Sequence, residues 1–223
     1  MKKILVWDLP TRVFHWLLAL SFLGAWLSAE SERYRAVHVA LGYTVLGLVA
    51  FRLIWGVIGT RYARFTAFPI APRRVLAYLK SLCTPAPQHH VGHNPAGSLA
   101  IYAILALALL AGASGHMAYN DIGGEPLAEL HEAAASAMLG LVALHIGAVI
   151  VSSLIHRENL VAAMLHGYKK GRGAEGIRAR HRLVAAALLL ATFGFWAGSA
   201  GLLPQSLGVG ATASAQPAGA RHG

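Results

Sequence analysis

Five long apolar runs separated by short polar or basic stretches organise the chain. They cover about 11–29 ("TRVFHWLLALSFLGAWLSA"), 35–57, 97–118, 127–154 and 182–203 ("RLVAAALLLATFGFWAGSAGLL"). Each is close to the ~20 residues that a helix needs to cross a bilayer's hydrocarbon core. The pattern therefore predicts an all-α integral membrane protein: a four-helix bundle over 1–165 and a fifth transmembrane helix over 182–203. Residues 166–181 read as a basic cytoplasmic linker, and the small-residue tail 204–223 as disordered. Between the second and third runs, 72–82 sets Val75, Leu76, Leu79 and Leu82 on one helical face and turns Arg73, Arg74 and Lys80 toward the other. A short helix on the cytoplasmic membrane surface and a solvated loop with a helical turn both fit.

Composition supports the membrane reading. Hydrophobic residues make up 56% of the 223 and charged residues 13%. A single cysteine, Cys83, excludes an internal disulfide, a cysteine-built zinc or iron–sulfur site and covalent c-type haem attachment. Asp8 and Pro10 interrupt the N-terminus before any long apolar core, and no small-residue cleavage site follows, so a retained first helix is expected rather than a signal peptide. The net charge of +10 raises nucleic-acid binding, but placement argues against it. Of nineteen Lys and Arg, fifteen lie in 1–12, 57–95 and 156–182, while Glu30, Glu32, Asp121, Glu125 and Glu129 sit between the other runs. That is the positive-inside pattern of a multi-pass membrane protein with its N-terminus in the cytoplasm.

Twelve histidines sharpen the chemistry. His89, His90 and His93 fall in a loop and His222 in the tail, where solvated side chains suffice. His116, His156, His166 and His181 fall near helix ends, as interfacial residues do. His15, His38, His131 and His145 remain within the apolar runs, where an ionisable group is costly and signals function. His131 and His145 are fourteen residues apart, which is about four turns of one helix face and roughly 21 Å. Following the chain in and out of the membrane puts His38 and His131 near the outer surface, and His15 and His145 near the inner one. Two histidines at one depth can hold a zinc or copper ion, or both axial positions of a haem. Neither level supplies the further ligands of a four-coordinate zinc site, because Glu132 beside His131 points about 100° away. Gly24, Gly42 and Ala135 leave room for a flat macrocycle, although small residues also serve helix packing. Bis-histidine haem has no open position and favours electron transfer over ligand binding.

At these residues the chain resembles a known family. "RVFHWLLALSF" (12–22), "VHVALGY" (37–43), "FRLIWGVIGTRYARF" (51–65), "GHNPAG" (92–97) and the stretch 130–161 are similar to blocks of the bacterial cytochrome b561 and nickel–iron hydrogenase b-type cytochrome superfamily. The resemblance covers roughly 4–170. It implies a four-helix membrane cytochrome with two b haems, ligated by His15 with His145 and by His38 with His131. It also implies electron exchange between the quinone pool and a redox partner, either a periplasmic cytochrome c or a hydrogenase-like protein. No nucleic acid is involved, and lipid surrounds the helices.

Secondary candidates follow. Haem propionates need cations at the membrane edge, and Arg12, Arg33, Arg35 and Arg52 are placed for this. For the first three, an ordinary topogenic or interfacial role serves equally. Arg52 can also snorkel to the surface or meet a quinone carbonyl. Asn94 offers a quinone a hydrogen bond, or simply caps the helix that begins at Pro95. Two other functions stay open: an oxidoreductase acting directly on superoxide or a ferric chelate, and a haem-free transporter.

Overall fold

The computed structural model describes residues 2–201, so the tail 204–223 and the last two residues of the fifth run lie outside the described residues. Strand β1 (Lys2–Leu5) leads into α1 (Leu9–Ser28) and α2 (Arg35–Ile58). The short α3 (Pro72–Ser81) precedes two long helices, α4 (Pro95–Tyr119) and α5 (Glu125–Ile155). Then come α6 (Leu160–His166), strand β2 (Tyr168–Gly171) and α7 (Arg182–Ser199).

Local chemistry sets the boundaries. Asp8 caps α1, its side chain accepting from the Thr11 amide at 2.8 Å, with Pro10 in the first turn. Asn94 and Pro95 start α4 in the same way. Asp121, Gly123 and Gly124, all at positive φ, turn the chain from α4 into α5. Helix α3 matches the amphipathic 72–82 pattern and leaves Leu76 and Leu79 exposed.

Among the described residues, four helical spans are long and apolar enough to cross a membrane: Glu32–Ile58, Pro95–Tyr119, Glu125–Ile155 and Arg182–Ser199. Helix α1 is not among them, although the sequence pattern counts it as a crossing. Arg12, His15 and Trp16 dilute its first turns. Its 20 residues still extend about 30 Å, the thickness of the hydrocarbon core.

Helix α1 packs on α2, α4 on α5, and α2 on α4, whereas α1 and α5 form no comparable interface. The bundle is thus two antiparallel hairpins joined through α2 and α4. Phe14, Leu17, Leu48, Val49, Leu105 and Met138 form its main core. Helix α7 docks against α1 and α2, where Trp196 Nε1 donates to Thr44 Oγ1 at 2.8 Å. Its outer face keeps Leu183 and Leu190 exposed, as does α5 with Leu144 and Leu154, which suits lipid contact. Trp196→Phe is expected to cost about 1 kcal/mol by leaving the Thr44 hydroxyl without this donor. A detergent melt of the full chain that matches wild type would remove that hydrogen bond from the account of α7 docking.

The three basic segments gather at one end of the bundle. There β1 pairs antiparallel with β2, Lys3 opposite Lys170, so 168–171 is a strand within what the sequence pattern leaves as linker. The Val6 and Trp7 amides donate to the Gly167 carbonyl at 2.9 and 3.1 Å, and the Ile177 amide to Leu5 at 2.8 Å. Gly167 lies at φ 89°, and a Cβ there would stand 2.6 Å from the Trp7 carbonyl, so glycine is required. Tyr62 closes the end by donating to the Glu175 carbonyl at 2.8 Å.

A buried carboxylate ties the helices together at this end. Asp8 is 1% exposed and, besides capping α1, accepts from Trp55 Nε1 at 3.1 Å and Thr60 Oγ1 at 2.6 Å. Arg52, 3% exposed, lies with its guanidinium 4.7 Å from the Phe65 ring centre, and its Nη1 has no partner among the described residues.

Candidate haem-binding and electron-transfer site

His38 and His131 lie together in the bundle, while His15 and His145 lie toward the basic end, near His93. His38 on α2 and His131 on α5 face each other with ring centres 6.0 Å apart and planes at 84°. His38 Nδ1 lies 2.8 Å from the Ala25 carbonyl of α1, and His131 Nδ1 lies 2.7 Å from the Ala111 carbonyl of α4. A carbonyl can only accept, so each Nδ1 carries the proton. Each Nε2 keeps its lone pair, the tautomer a metal requires. A metal about 2 Å from each of two Nε2 atoms would place the ring centres roughly 6 Å apart.

Small residues permit this approach. A Cβ on Gly115 of α4 would stand 2.7 Å from His131 Nδ1, so only glycine lets α4 lie against that ring. Gly42, one turn beyond His38, would meet nothing within 4 Å. It lines a cavity of about 270 Å³ together with His38, His131, Arg35, Tyr43 and His116. Tyr43 and His116 were not singled out as site residues by sequence; the Tyr43 hydroxyl lies 2.8 Å from His116 Nδ1 at the cavity rim. Only the folded contact between α2 and α4 brings them together. Arg35 also lies 3.9 Å from Glu32 and 5.9 Å from the Tyr119 ring centre. Arg33 instead stacks on Tyr34 at 5.6 Å, away from the cavity lining.

At the basic end, His15 on α1 and His145 on α5 are both half-buried. The His15 ring meets Trp16 edge-on at 5.2 Å, and its buried Nδ1 has no partner among the described residues. Nearby, the His93 ring is clasped between Trp7 at 4.6 Å and Phe68 at 4.5 Å. Burial pushes His93 down to about 3, helped by the positive charges of Arg52 and Lys169. The sequence pattern leaves His93 as a solvated loop residue. Its packing is decided by Trp7 and Phe68, which arrive from distant segments and leave no local signal. Arg12 donates to the Leu165 carbonyl and fastens α1 to α6, and its Nε is buried without a partner. Asn94 Oδ1 accepts from the Gly97 amide at 2.7 Å, which leaves the amide nitrogen of that side chain for other use.

The family model for prokaryotic cytochrome b561 matches residues 6–167. The chain belongs to that family. Two relatives are similar to it. A "Probable Ni/Fe-hydrogenase B-type cytochrome subunit" of Azotobacter vinelandii is 22% identical over 213 residues, covering 74% of this chain and 88% of the relative. A protein of the same description from Azotobacter chroococcum mcd 1 is 28% identical over 126 residues, covering 44% and 52%. No solved structure matches. This cytochrome b561 protein is therefore a multi-pass membrane b-type cytochrome of electron transfer, with haem b as its cofactor. The haem-free transporter reading falls away.

Proposed function

We propose that the protein is a di-haem relay that exchanges electrons between quinone at the basic, cytoplasmic end and a redox partner at the opposite face of the inner membrane. The observation that carries this reading is the opposition of His38 and His131. Their proton-bearing Nδ1 atoms are anchored to carbonyls 2.8 and 2.7 Å away, while both Nε2 atoms stay free. These two would hold the outer haem, and His15 with His145 would hold the inner one. When bound, haem b would supply a one-electron ferric/ferrous couple at each level.

The chain's own residues then do the positioning. Carbonyls of Ala25 and Ala111 fix the ring orientation of His38 and His131, so neither imidazole must reorganise during electron transfer. Arg35 at the cavity mouth and the unpartnered Nη1 of Arg52 offer guanidinium donors to propionates, in the geometry that carboxylates prefer. The free amide nitrogen of Asn94 offers a donor to a quinone carbonyl, while its oxygen stays occupied as the α4 cap. Segregation of the basic segments at one end supports a cytoplasmic N-terminus. The names of the two Azotobacter relatives support a hydrogenase-like partner.

In sealed vesicles holding the purified chain, quinol is expected to reduce the haems without any added protein, giving the reduced b-type α-band. Haem that dithionite reduces but quinol leaves fully oxidised would overturn the quinone assignment.

A further inference from the structure

Helix α3 leaves most of its surface uncovered, and that surface is sharply divided. It packs on α4 and buries two residues, Tyr78 and Ser81, with Val75 and Leu82 half-buried beside them. At about 100° per residue, Leu79 and Leu76 form the next stripe of the helix, 47% and 55% exposed. Arg73 and Lys80, both exposed and seven residues apart, form the stripe after that, on the far side of the leucines from Tyr78. Cys83, also exposed, continues the leucine stripe four residues beyond Leu79. Arg74 points to the opposite flank, away from the leucines.

The charge around α3 has one sign. Residues 59–94, which carry the helix between α2 and α4, hold Arg61, Arg64, Arg73, Arg74 and Lys80 and no aspartate or glutamate. Among the described residues, none of these five cations takes part in an ion pair. The helix also lies at the edge of the apolar spans. Helix α2 stays apolar to its end, with Val57 and Ile58 71% and 69% exposed, and the span of α4 starts at Pro95. Tyr78 meets the His90 ring edge-on at 5.5 Å, which holds α3 beside the start of that span. An anionic phospholipid leaflet satisfies both stripes at once. Its acyl chains take the leucines, and its phosphates take the cations that have no partner in the chain.

We propose that α3 binds anionic phospholipid of the cytoplasmic leaflet, with Leu76 and Leu79 at the boundary of headgroups and acyl chains and Arg73 and Lys80 on headgroup phosphates. The Arg73 guanidinium takes two phosphate oxygens with paired N–H groups, and the Lys80 ammonium acts as a point charge. The apolar stems of both side chains lie toward the leucines while their heads stay in the polar layer. Arg74 faces the cytoplasm and makes no lipid contact. Through Tyr78 and His90, the bound helix steadies the loop that leads into α4. The binding holds whichever redox partner the haems serve.

The test uses the full haem-loaded chain in nanodiscs of phosphatidylcholine, with and without phosphatidylglycerol, and a nitroxide on Cys83, the single cysteine. Collisions with lipid-soluble oxygen and with a water-soluble nickel chelate report whether the label is seated in lipid or in water. With phosphatidylglycerol present, the wild-type label is expected to favour oxygen. Arg73→Gln with Lys80→Gln should lower its seated-to-free ratio by more than about tenfold, at about fivefold for each cation near an anionic surface. Leu76→Ser with Leu79→Ser should move the label into water in both lipids, and Arg74→Gln should match wild type. Haem content and the detergent melt should be unchanged throughout, because all five side chains are exposed. A wild-type label open to the chelate in phosphatidylglycerol overturns the proposal, as a solvated helix or one awaiting a soluble partner would give. Equal seating in the two lipids overturns the headgroup contact, and an Arg74→Gln loss as large as the paired one overturns the assignment of stripes. Variants that lose haem or melt early would show these side chains packed in the bundle, which also overturns it.

Discussion

His131→Ala is expected to lower the haem content of the purified chain from two per polypeptide to one, and His145→Ala is expected to do the same. The two single-haem proteins should differ, because each retains the opposite level. His131 meets its partner His38 at a ring-centre distance of 6.0 Å, and no other histidine contacts this pair among the rings described. Removing one imidazole leaves a single ring nitrogen in a cavity of about 270 Å³, where small and apolar side chains share the lining with Glu32, Arg35, Tyr43, His116 and Tyr119. A replacement ligand is out of reach there, since His116 is held at the rim by Tyr43 at 2.8 Å. His145→Ala leaves His15 without its proposed partner on α5, while His38 and His131 keep both carbonyl anchors. Haem counted by pyridine haemochrome against protein, with low-temperature spectra of the remaining haem, decides the matter. Two haems retained in either variant, or none in both, would sink the pairing.

Asp8→Ala is the second large effect, on stability. The carboxylate is 1% exposed and receives three donors, from Thr11, Trp55 and Thr60. Alanine removes the α1 cap and strands a buried indole N–H and a buried hydroxyl together, at about 1–3 kcal/mol for each unsatisfied group. A total loss of about 3 kcal/mol or more is expected, read as early melting in detergent with α1 separating from the end of α2. Asp8→Asn should fall between, because its remaining oxygen can still cap α1, while its NH2 faces groups that themselves donate. An alanine variant that melts with wild type would show that the hub is not what fixes α1 to α2.

The two experiments probe different requirements. Haem loading depends on side chains at two levels of the bundle, whereas Asp8 governs whether α1 enters the bundle at the angle that presents His15. A chain lacking Asp8 is therefore expected to lose inner haem before outer haem on heating.

Much of this was readable in the sequence. Apolar runs of bilayer length marked the helices because lipid allows few other backbone solutions. Fourteen residues between His131 and His145 set two levels because helical rise is fixed. Asn94 before Pro95 marked the start of α4, and 72–82 its amphipathic neighbour, because capping and periodicity are local. Helix α1 was legible as a helix but not by apolarity alone, since Arg12, His15 and Trp16 spend part of its apolar length on other contacts.

Tertiary structure decided what sequence distance hides. The β1–β2 ribbon joins residues more than 160 apart in sequence, held by Gly167, and turns an apparent linker into a folded cover over the basic end. His93 was moved from solvent into an aromatic clasp, Glu158 and Lys169 were buried as a pair, and α7 was fastened to Thr44. The tautomers of His38 and His131 depend on carbonyls of α1 and α4, which only the packing of those helices supplies. The sequence by itself determined which residues share a helix and how far apart along it they stand, because helical rise is fixed. Which groups touch across the bundle, and so which proton sits on which nitrogen, came only from the way the helices pack.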